Sequence, residues 1–390
     1  MIIGVPKEIK TAEFRVGLIP SGAKALTRDG HQVLIQAGAG ISSGYPDQEY
    51  KEAGAEVIKS ANEVWEKAEI IVKVKEPQKP EYDRMRKNQI IFCFFHLAPL
   101  PDLTRVLIDK GVNAVAFETI QTKEGLLPCL MPMSEIAGRM SVQVGASYLM
   151  RDRGGPGILL GGVPGVAPCE VLVLGAGTSG TNAARLAVGM GARVRIMDTN
   201  LSRLAYLDDI FNGKVTTVMS DDYNIERYVP ETDLLVGAVL LPGSLAPRLV
   251  SEDLVKKMRP GSVIVDISVD QGGCIATTHP TTHKNPVYIK HGVTHYCVAN
   301  MPGAVPRTST QALANATFPY LLKIARQGLE KAAGADTALL RGINVYTAPG
   351  STKGLITNQG VADAFGCKYV SFETVCRFPE NSDKTGKRKN

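Results

Sequence analysis

Aromatic residues make up only 6% of this 390-residue chain, and it has a single tryptophan. Nucleic-acid surfaces combine basic side chains with aromatic platforms. No such stripe occurs here, so nucleic acid is not an expected partner. Charge of one sign is equally scarce. The net +6 arises from 44 basic and 38 acidic residues interspersed along the chain, and the one local excess, the tail DKTGKRKN (383–390), reads as a solvated terminus. No hydrophobic run approaches 18 residues, so no membrane-spanning helix is expected. The opening MIIGVPKEIK lacks the basic-then-apolar pattern of a secretory signal. The seven cysteines (93, 129, 169, 274, 297, 367 and 376) form neither CxxC nor Cys/His metal spacing. Scattered thiols in an odd number point to a reducing compartment, and a cytoplasmic protein is the expectation.

What is present is an α/β pattern. A chain of this length exceeds the size at which one core stops growing, so two domains are expected. In HQVLIQAG, EIIVKVKEP, QIIFCFFHL and VNAVAFET, short apolar runs recur with helical patterns between them, which argues for a parallel sheet covered on both faces. A helical stretch over 133–153 leads to the Gly/Pro-rich connector RGGPGILLGGVPGVAP. A second series begins at Glu170, with strands in VLVLGAG, RVRIMD, VTTVMS, LLVGAVL, SVIVDIS and THYCVAN. A long helix is expected over 305–331, bent or interrupted by Pro319. The fold expected is α/β: two doubly wound Rossmann-like domains with a cleft between them. The last segment returns to the first domain, giving 1–130 plus 305–390 as one domain and 131–304 as the other.

The most informative stretch is VLVLGAGTSGTNAARLAVGMGARVRIMD. A strand runs into Gly175, Ala176, Gly177, Thr178, Ser179 and Gly180, and a helix follows. The first glycine makes the tight turn, the second lets backbone approach a pyrophosphate, and the third lets helix and strand pack closely. Phosphates sit at such a helix N-terminus because its N–H groups lack intrahelical partners and its dipole favours negative charge. Asp198 ends the next strand about 20 residues on, where a carboxylate binds both ribose hydroxyls and repels a 2′-phosphate. NAD is therefore favoured over NADP, although Arg193, Arg195 and Arg203 lie nearby. Asp270, just after VIVDIS, is a candidate for the nicotinamide end, whereas Asp266 reads as a structural strand residue.

Three further residues share a placement. Arg15 follows the first strand in TAEFRVGLIP, Lys75 ends IIVKVKEP, and His96 ends the apolar run IIFCFF. Singly, Arg15 and Lys75 read first as solvated surface charges and His96 as a structural core histidine. Together, Lys75 and His96 occupy the carboxyl ends of two strands, where parallel sheets place their ligands. An arginine and a lysine there suit a small carboxylate. His279, His283, His291 and His295 have irregular spacing and suggest no metal site, and Cys93 reads as a small core residue.

KEIKTAEFRVGLIP, VKVKEP, FCFFHLAP, LLPCLMPMSEIAGRMSVQVGA, GVAPCEVLVLGAGTSGTNAA, DISVDQGG and VANMPGAVPRTST occur in order, and on them the chain resembles the alanine dehydrogenases over essentially its whole length. The related NAD-binding subunit of proton-translocating transhydrogenase is similar in the opening segment and the Rossmann unit; FHLAP and NMPGAVPRTST favour the former. The resemblance implies reversible, NAD-dependent oxidative deamination of L-alanine to pyruvate and ammonium by a homohexamer. It implies that Arg15 and Lys75 bind substrate, with Met133 against substrate or nicotinamide. His96 becomes the acid/base residue and Asp270 its catalytic partner. Cofactor positions implied beside the glycine loop are Ser134, Asp198, Arg203, Ser220, Val239, Leu240, Ile267, Asp270, Val298 and Met301. Some members carry a Glu/His metal pair on the helix after PGAVP; this chain has Lys323 and Gln327 in that region, so no metal is expected. An NAD-binding module without catalysis and another amino- or keto-acid dehydrogenase remain the alternatives.

Overall fold

A computed structural model describes residues 1–239 and 246–376. In chain order, residues 1–130 supply β1 (Ile2–Val5), β2 (Gln32–Gln36), β3 (Glu56–Ile58), β4 (Ile70–Lys75), β5 (Ile90–Phe94) and β6 (Asn113–Ala116). Then come β7 (Glu170–Leu174), β8 (Arg193–Asp198), β9 (Val215–Met219), β10 (Leu234–Gly237), β11 (Val263–Asp266), β12 (Val287–Lys290) and β13 (Val293–Tyr296). Two strands follow late in the chain, β14 (Ile343–Tyr346) and β15 (Leu355–Ile356). Two compact units result: Met1–Leu130 with the chain from Pro306 onward, and Met131–Val305.

The first unit's sheet has the order β15-β14-β6-β5-β4-β1-β2-β3. From β3 to β6 every pairing is parallel. The chain leaves β1 towards β2 and β3, then returns to the other side of β1 for β4, β5 and β6. This reversal opens a crevice beyond the carboxyl ends of β1 and β4, the usual ligand position in open α/β sheets. Helices on both faces explain why every residue of IIFCF in β5 is buried. The second unit repeats the plan with the order β12-β13-β11-β10-β7-β8-β9, reversing between β7 and β10.

The sheets are not wholly parallel. β14 pairs antiparallel to β6 and β15 to β14, and β12 pairs antiparallel to β13. The β12–β13 hairpin turns through His291 (φ 54°) and Gly292 (φ 75°), the two positive-φ residues of a type I′ turn. VNAVAFET yields a shorter strand than expected: β6 stops at Ala116, and Phe117–Thr119 form a 3₁₀ turn.

The expected interruption at Pro319 does not occur. One helix runs Pro306–Gln327 with Pro319 inside it. It ends at Gly328 (φ 78°), and a second helix spans Leu329–Ala335. A proline removes one backbone bond, whereas a left-handed glycine turns the chain off the helix axis altogether.

Candidate active site

In the first unit the site is organised from β4 and β5. Glu8 is buried, and its Oε1 accepts the N–H groups of Val74 (2.6 Å) and Lys75 (3.3 Å). Its Oε2 accepts from the buried ammonium of Lys73 (3.0 Å), which also donates to Glu81 (3.0 Å). This ion cluster fixes the strand exit that delivers Lys75. Burial lowers the Lys75 pKa, and the positive charges of Arg15 and Lys10 push it further in the same direction. Arg15 is only 1% exposed. Its Nε and Nη2 donate to the two oxygens of Glu13 at 2.6 and 2.5 Å, a bidentate pair that sets the plane of the guanidinium. Burial alone would raise the Glu13 pKa, but the bonds and charge of Arg15 outweigh it and the net shift is downward.

His96 leaves β5 with its side chain exposed to solvent and φ at +48°. A left-handed backbone costs a non-glycine residue about 1–2 kcal/mol, and such strain collects at functional sites. The conformation is held by Glu118, on the 3₁₀ turn after the neighbouring strand β6. Glu118 Oε1 accepts the His96 N–H at 2.6 Å and Oε2 the Phe95 N–H at 3.2 Å. The imidazole stacks on Phe94, with centroids 5.8 Å apart and planes 4° from parallel. Lys75 Nζ lies 5.7 Å from the same ring's centroid, and Phe117 backs that ring edge-on at 5.1 Å. Phe94 thus brings the strand-end lysine and histidine to one buried aromatic platform. Nothing in the sequence reading singled out Phe94, Glu118, Glu13 or Glu8. Glu118 had a usable signal: it is an acidic residue just past the carboxyl end of a strand.

In the second unit the glycine loop has the geometry a dinucleotide requires. Gly175 has φ 96°, and a Cβ there would stand 2.7 Å from the Ala238 carbonyl oxygen. A Cβ on Gly180 would stand 1.8 Å from the Gly175 oxygen, while one on Gly177 would meet nothing within 4 Å. Two of the glycines are therefore required by packing. The third leaves an open approach at the start of the helix Thr178–Gly189, whose N-cap is Gly177. Asp198 Oδ2 accepts the Ala176 N–H (2.7 Å) and Oδ1 the Asn200 N–H (2.8 Å). Arg203 donates from Nε to the Ala176 carbonyl (2.7 Å) and from Nη2 to Thr181 Oγ1 (2.8 Å). The Ala176 peptide is clamped on both its polar groups, which pre-forms the loop. Arg193 and Arg195 instead pair with Glu170, at the start of β7 and so at the amino-terminal end of the strands, opposite to Asp198.

The remaining cofactor candidates gather at the carboxyl ends of the same sheet. The Ser220 N–H donates to the Asp198 carbonyl at 3.0 Å. Val239 is half-buried, and its carbonyl accepts from Ser268 Oγ at 2.7 Å. Ile267 opens the 3₁₀ turn Ile267–Gln271, on which Asp270 is exposed and accepts the Asn300 N–H at 3.3 Å. Asn300 itself has φ 57° and precedes the buried Met301; Val298 is buried two residues before it. Asp266 is fully buried, and its carboxylate accepts from the Ser268 and Cys274 N–H groups and Thr278 Oγ1, the structural role expected of it. Met133 is buried and Ser134 half-buried on the first turn of the helix Met131–Tyr148. That helix packs closely on the glycine-loop helix, since a Cβ on Gly138 would stand 2.1 Å from the Ser179 oxygen. Leu240 and the basic tail lie outside the described residues. His295 is buried between Thr277 Oγ1 and the Val293 carbonyl, and Lys323 pairs with Asp336.

These residues fit NAD. The open approach at Gly177, the helix start and the Asp198 carboxylate are the parts that pyrophosphate and ribose need.

Three comparisons with known proteins agree. Residues 4–137 match the family described as alanine dehydrogenase/PNT, N-terminal domain, and residues 141–351 match its C-terminal domain. The chain is 54% identical over 374 residues to an alanine dehydrogenase of Methanococcus maripaludis, covering 96% of this chain and 99% of that one. It is 53% identical to the alanine dehydrogenase of Staphylococcus haemolyticus, covering 96% and 98%. Among solved structures it is similar to an L-alanine dehydrogenase, with TM-score 0.90 and 52% identity over 94% of this chain and 99% of that one. A transhydrogenase from Sinorhizobium meliloti shares the fold, with TM-score 0.77 at 22% identity over 89% and 99%.

Proposed function

The chain belongs to the alanine dehydrogenase/PNT family, and from that premise we propose that it is an NAD-dependent oxidoreductase that deaminates L-alanine reversibly to pyruvate and ammonium. The observation that carries the reading is the Phe94 platform, which collects a buried lysine and an exposed histidine from adjacent strand ends. A non-catalytic NAD-binding module has no use for that arrangement. Relatives more than half identical over nearly their full length, and named for this activity, support it. A cytoplasmic homohexamer is the assembly and location that go with the family reading.

The glycine loop, with Thr178 and Ser179 at the helix start, would hold the pyrophosphate, and Asp198 the adenosine ribose. Ser134, Arg203, Ser220, Val239, Leu240, Ile267, Val298 and Met301 complete the cofactor set. Bound NAD supplies a hydride acceptor for the substrate Cα. Arg15, its plane fixed by Glu13, binds the substrate carboxylate. Lys75 stands at the carbonyl region, where its charge stabilises developing negative charge, and Met133 packs against the substrate. Loss of hydride leaves an imine. His96 takes a proton from the water that attacks the imine carbon, giving a carbinolamine, and returns it to the departing nitrogen. It then accepts the hydroxyl proton as the C–N bond breaks and the carbonyl of pyruvate forms. An imidazole, with an ordinary pKa of about 6.5, suits these transfers near neutrality. Asp270, at the nicotinamide end of the second unit's site, carries the catalytic role that the family resemblance implies for it.

The test is direct. Protein mixed with NAD and L-alanine should produce the NADH absorbance band, with other amino acids as comparison. His96→Ala should lose on the order of 100- to 10,000-fold in turnover. No NADH from L-alanine, or near-normal turnover by folded His96→Ala, would overturn the reading.

A further inference from the structure

The ladder between β5 and β6 pairs Ile90 with Asn113 through Cys93 with Ala116. Beyond Ala116 the neighbouring chain curls into the 3₁₀ turn Phe117–Thr119. No parallel strand continues there to accept the N–H groups of Phe95 and His96. The Glu118 carboxylate takes that place, one oxygen for each N–H. Two consecutive N–H groups converge on one anion when the backbone turns left-handed, forming a small concavity for negative charge. His96 has that backbone, with φ at +48°. The carboxylate and the conformation therefore belong together. Both decide where the imidazole stands on Phe94, although the Glu118 bonds go only to main chain.

We propose that Glu118 is the positioning residue of His96: it touches neither substrate nor cofactor and acts by holding the His96 peptide in the conformation that presents the imidazole. The inference rests on the reading of His96 as the acid/base residue. Without the carboxylate two strand-exit N–H groups seek water, the left-handed turn relaxes, and the ring moves off its platform. Displacements of about 1 Å in a reacting group cost on the order of 100-fold in rate.

A double-mutant cycle on the full-length enzyme tests this. Glu118→Ala should lower kcat on the order of 100-fold, with the dissociation constant for NADH, read by fluorescence titration, unchanged within about twofold. Glu118→Gln keeps one acceptor oxygen and should restore part of the loss. In a His96→Ala background, Glu118→Ala should cost less than about twofold more, because the group it positions is gone. A full second loss on top of His96→Ala would overturn the proposal, as would a Glu118→Ala enzyme turning over at the normal rate. Should Glu118→Ala fail to fold, Glu118→Gln takes its place in the cycle. Its smaller loss of kcat should vanish in the His96→Ala background, and a loss of the same size there, or no loss in the wild-type background, would overturn the proposal. Normal turnover by His96→Ala alone would be a different result, bringing down the acid/base reading instead.

Discussion

Replacing the glycines of the nucleotide loop one at a time separates packing from ligand approach. Gly180→Ala places a Cβ 1.8 Å from the Gly175 carbonyl oxygen and 3.0 Å from its carbon, both backbone atoms. Reaching an ordinary C···O separation of about 3.3 Å requires roughly 1.5 Å of movement between helix and turn. In an unhindered helix the same change would stabilise by about 0.8–1 kcal/mol. Overpacking costs about 1–3 kcal/mol, and an overlap this deep with backbone atoms falls in the upper part of that range, about 2–3 kcal/mol, so the sign reverses. The net loss is about 1–2 kcal/mol, or roughly 2–8 °C in the melting midpoint of a unit this size. Gly177→Ala is the opposite case. Its φ of −67° accepts alanine, and the new Cβ meets nothing within 4 Å. An alanine N-cap costs only about 0.5–1 kcal/mol, but the methyl group occupies the approach to the pyrophosphate. NADH affinity should fall at least tenfold, about 1.4 kcal/mol. Thermal melts without ligand and NADH fluorescence titrations of both variants give the measurement. Wild-type NADH affinity in Gly177→Ala would refute the placement of the phosphates, and wild-type melting of Gly180→Ala would refute the packing argument.

Two stability predictions complete the set. Burial lowers the pKa of His295 from 6.5 to about 4, so the unfolded chain binds this proton more readily than the folded one. The contribution of the neutral ring is present above pH 6.5 and is lost as pH falls towards 4, on the order of 3 kcal/mol in all. Urea unfolding at pH 7 and 4.5 should show a shallower pH dependence for His295→Gln, and an undiminished slope would count against it. Lys73→Met leaves Glu8 and Glu81 buried around a missing cation and should destabilise by about 3–5 kcal/mol; a loss under about 1 kcal/mol by the same unfolding assay would show the cluster to be dispensable.

The candidate site residues are legible wherever a local constraint selects them. Glycines 175, 177 and 180 are imposed by a turn, an approach and a close packing within six residues, and Asp198 by the strand that must follow. Apolar runs ending in Lys75 and His96 announced strand ends in the same way. The antiparallel strands β12, β14 and β15 were missed because their apolar runs are short and their pairing partners are set by tertiary contact. Of the bend or interruption expected at Pro319, the interruption is absent because a packed helix tolerates one missing bond, while Gly328 ends the helix by its dihedral angle.

The sequence alone therefore determined the α/β class, the nucleotide loop and the charged groups at the strand ends, since each rests on spacing along the chain. Only the tertiary structure decided which partner each charged group has. Glu8 and Glu81 hold Lys73, and Glu118 holds the His96 peptide. The two Lys73 bonds span 65 and 8 residues and the His96 bond spans 22, separations with no common period. A carboxylate's reach of a few ångströms becomes specific only once sheet order has brought distant strand ends side by side.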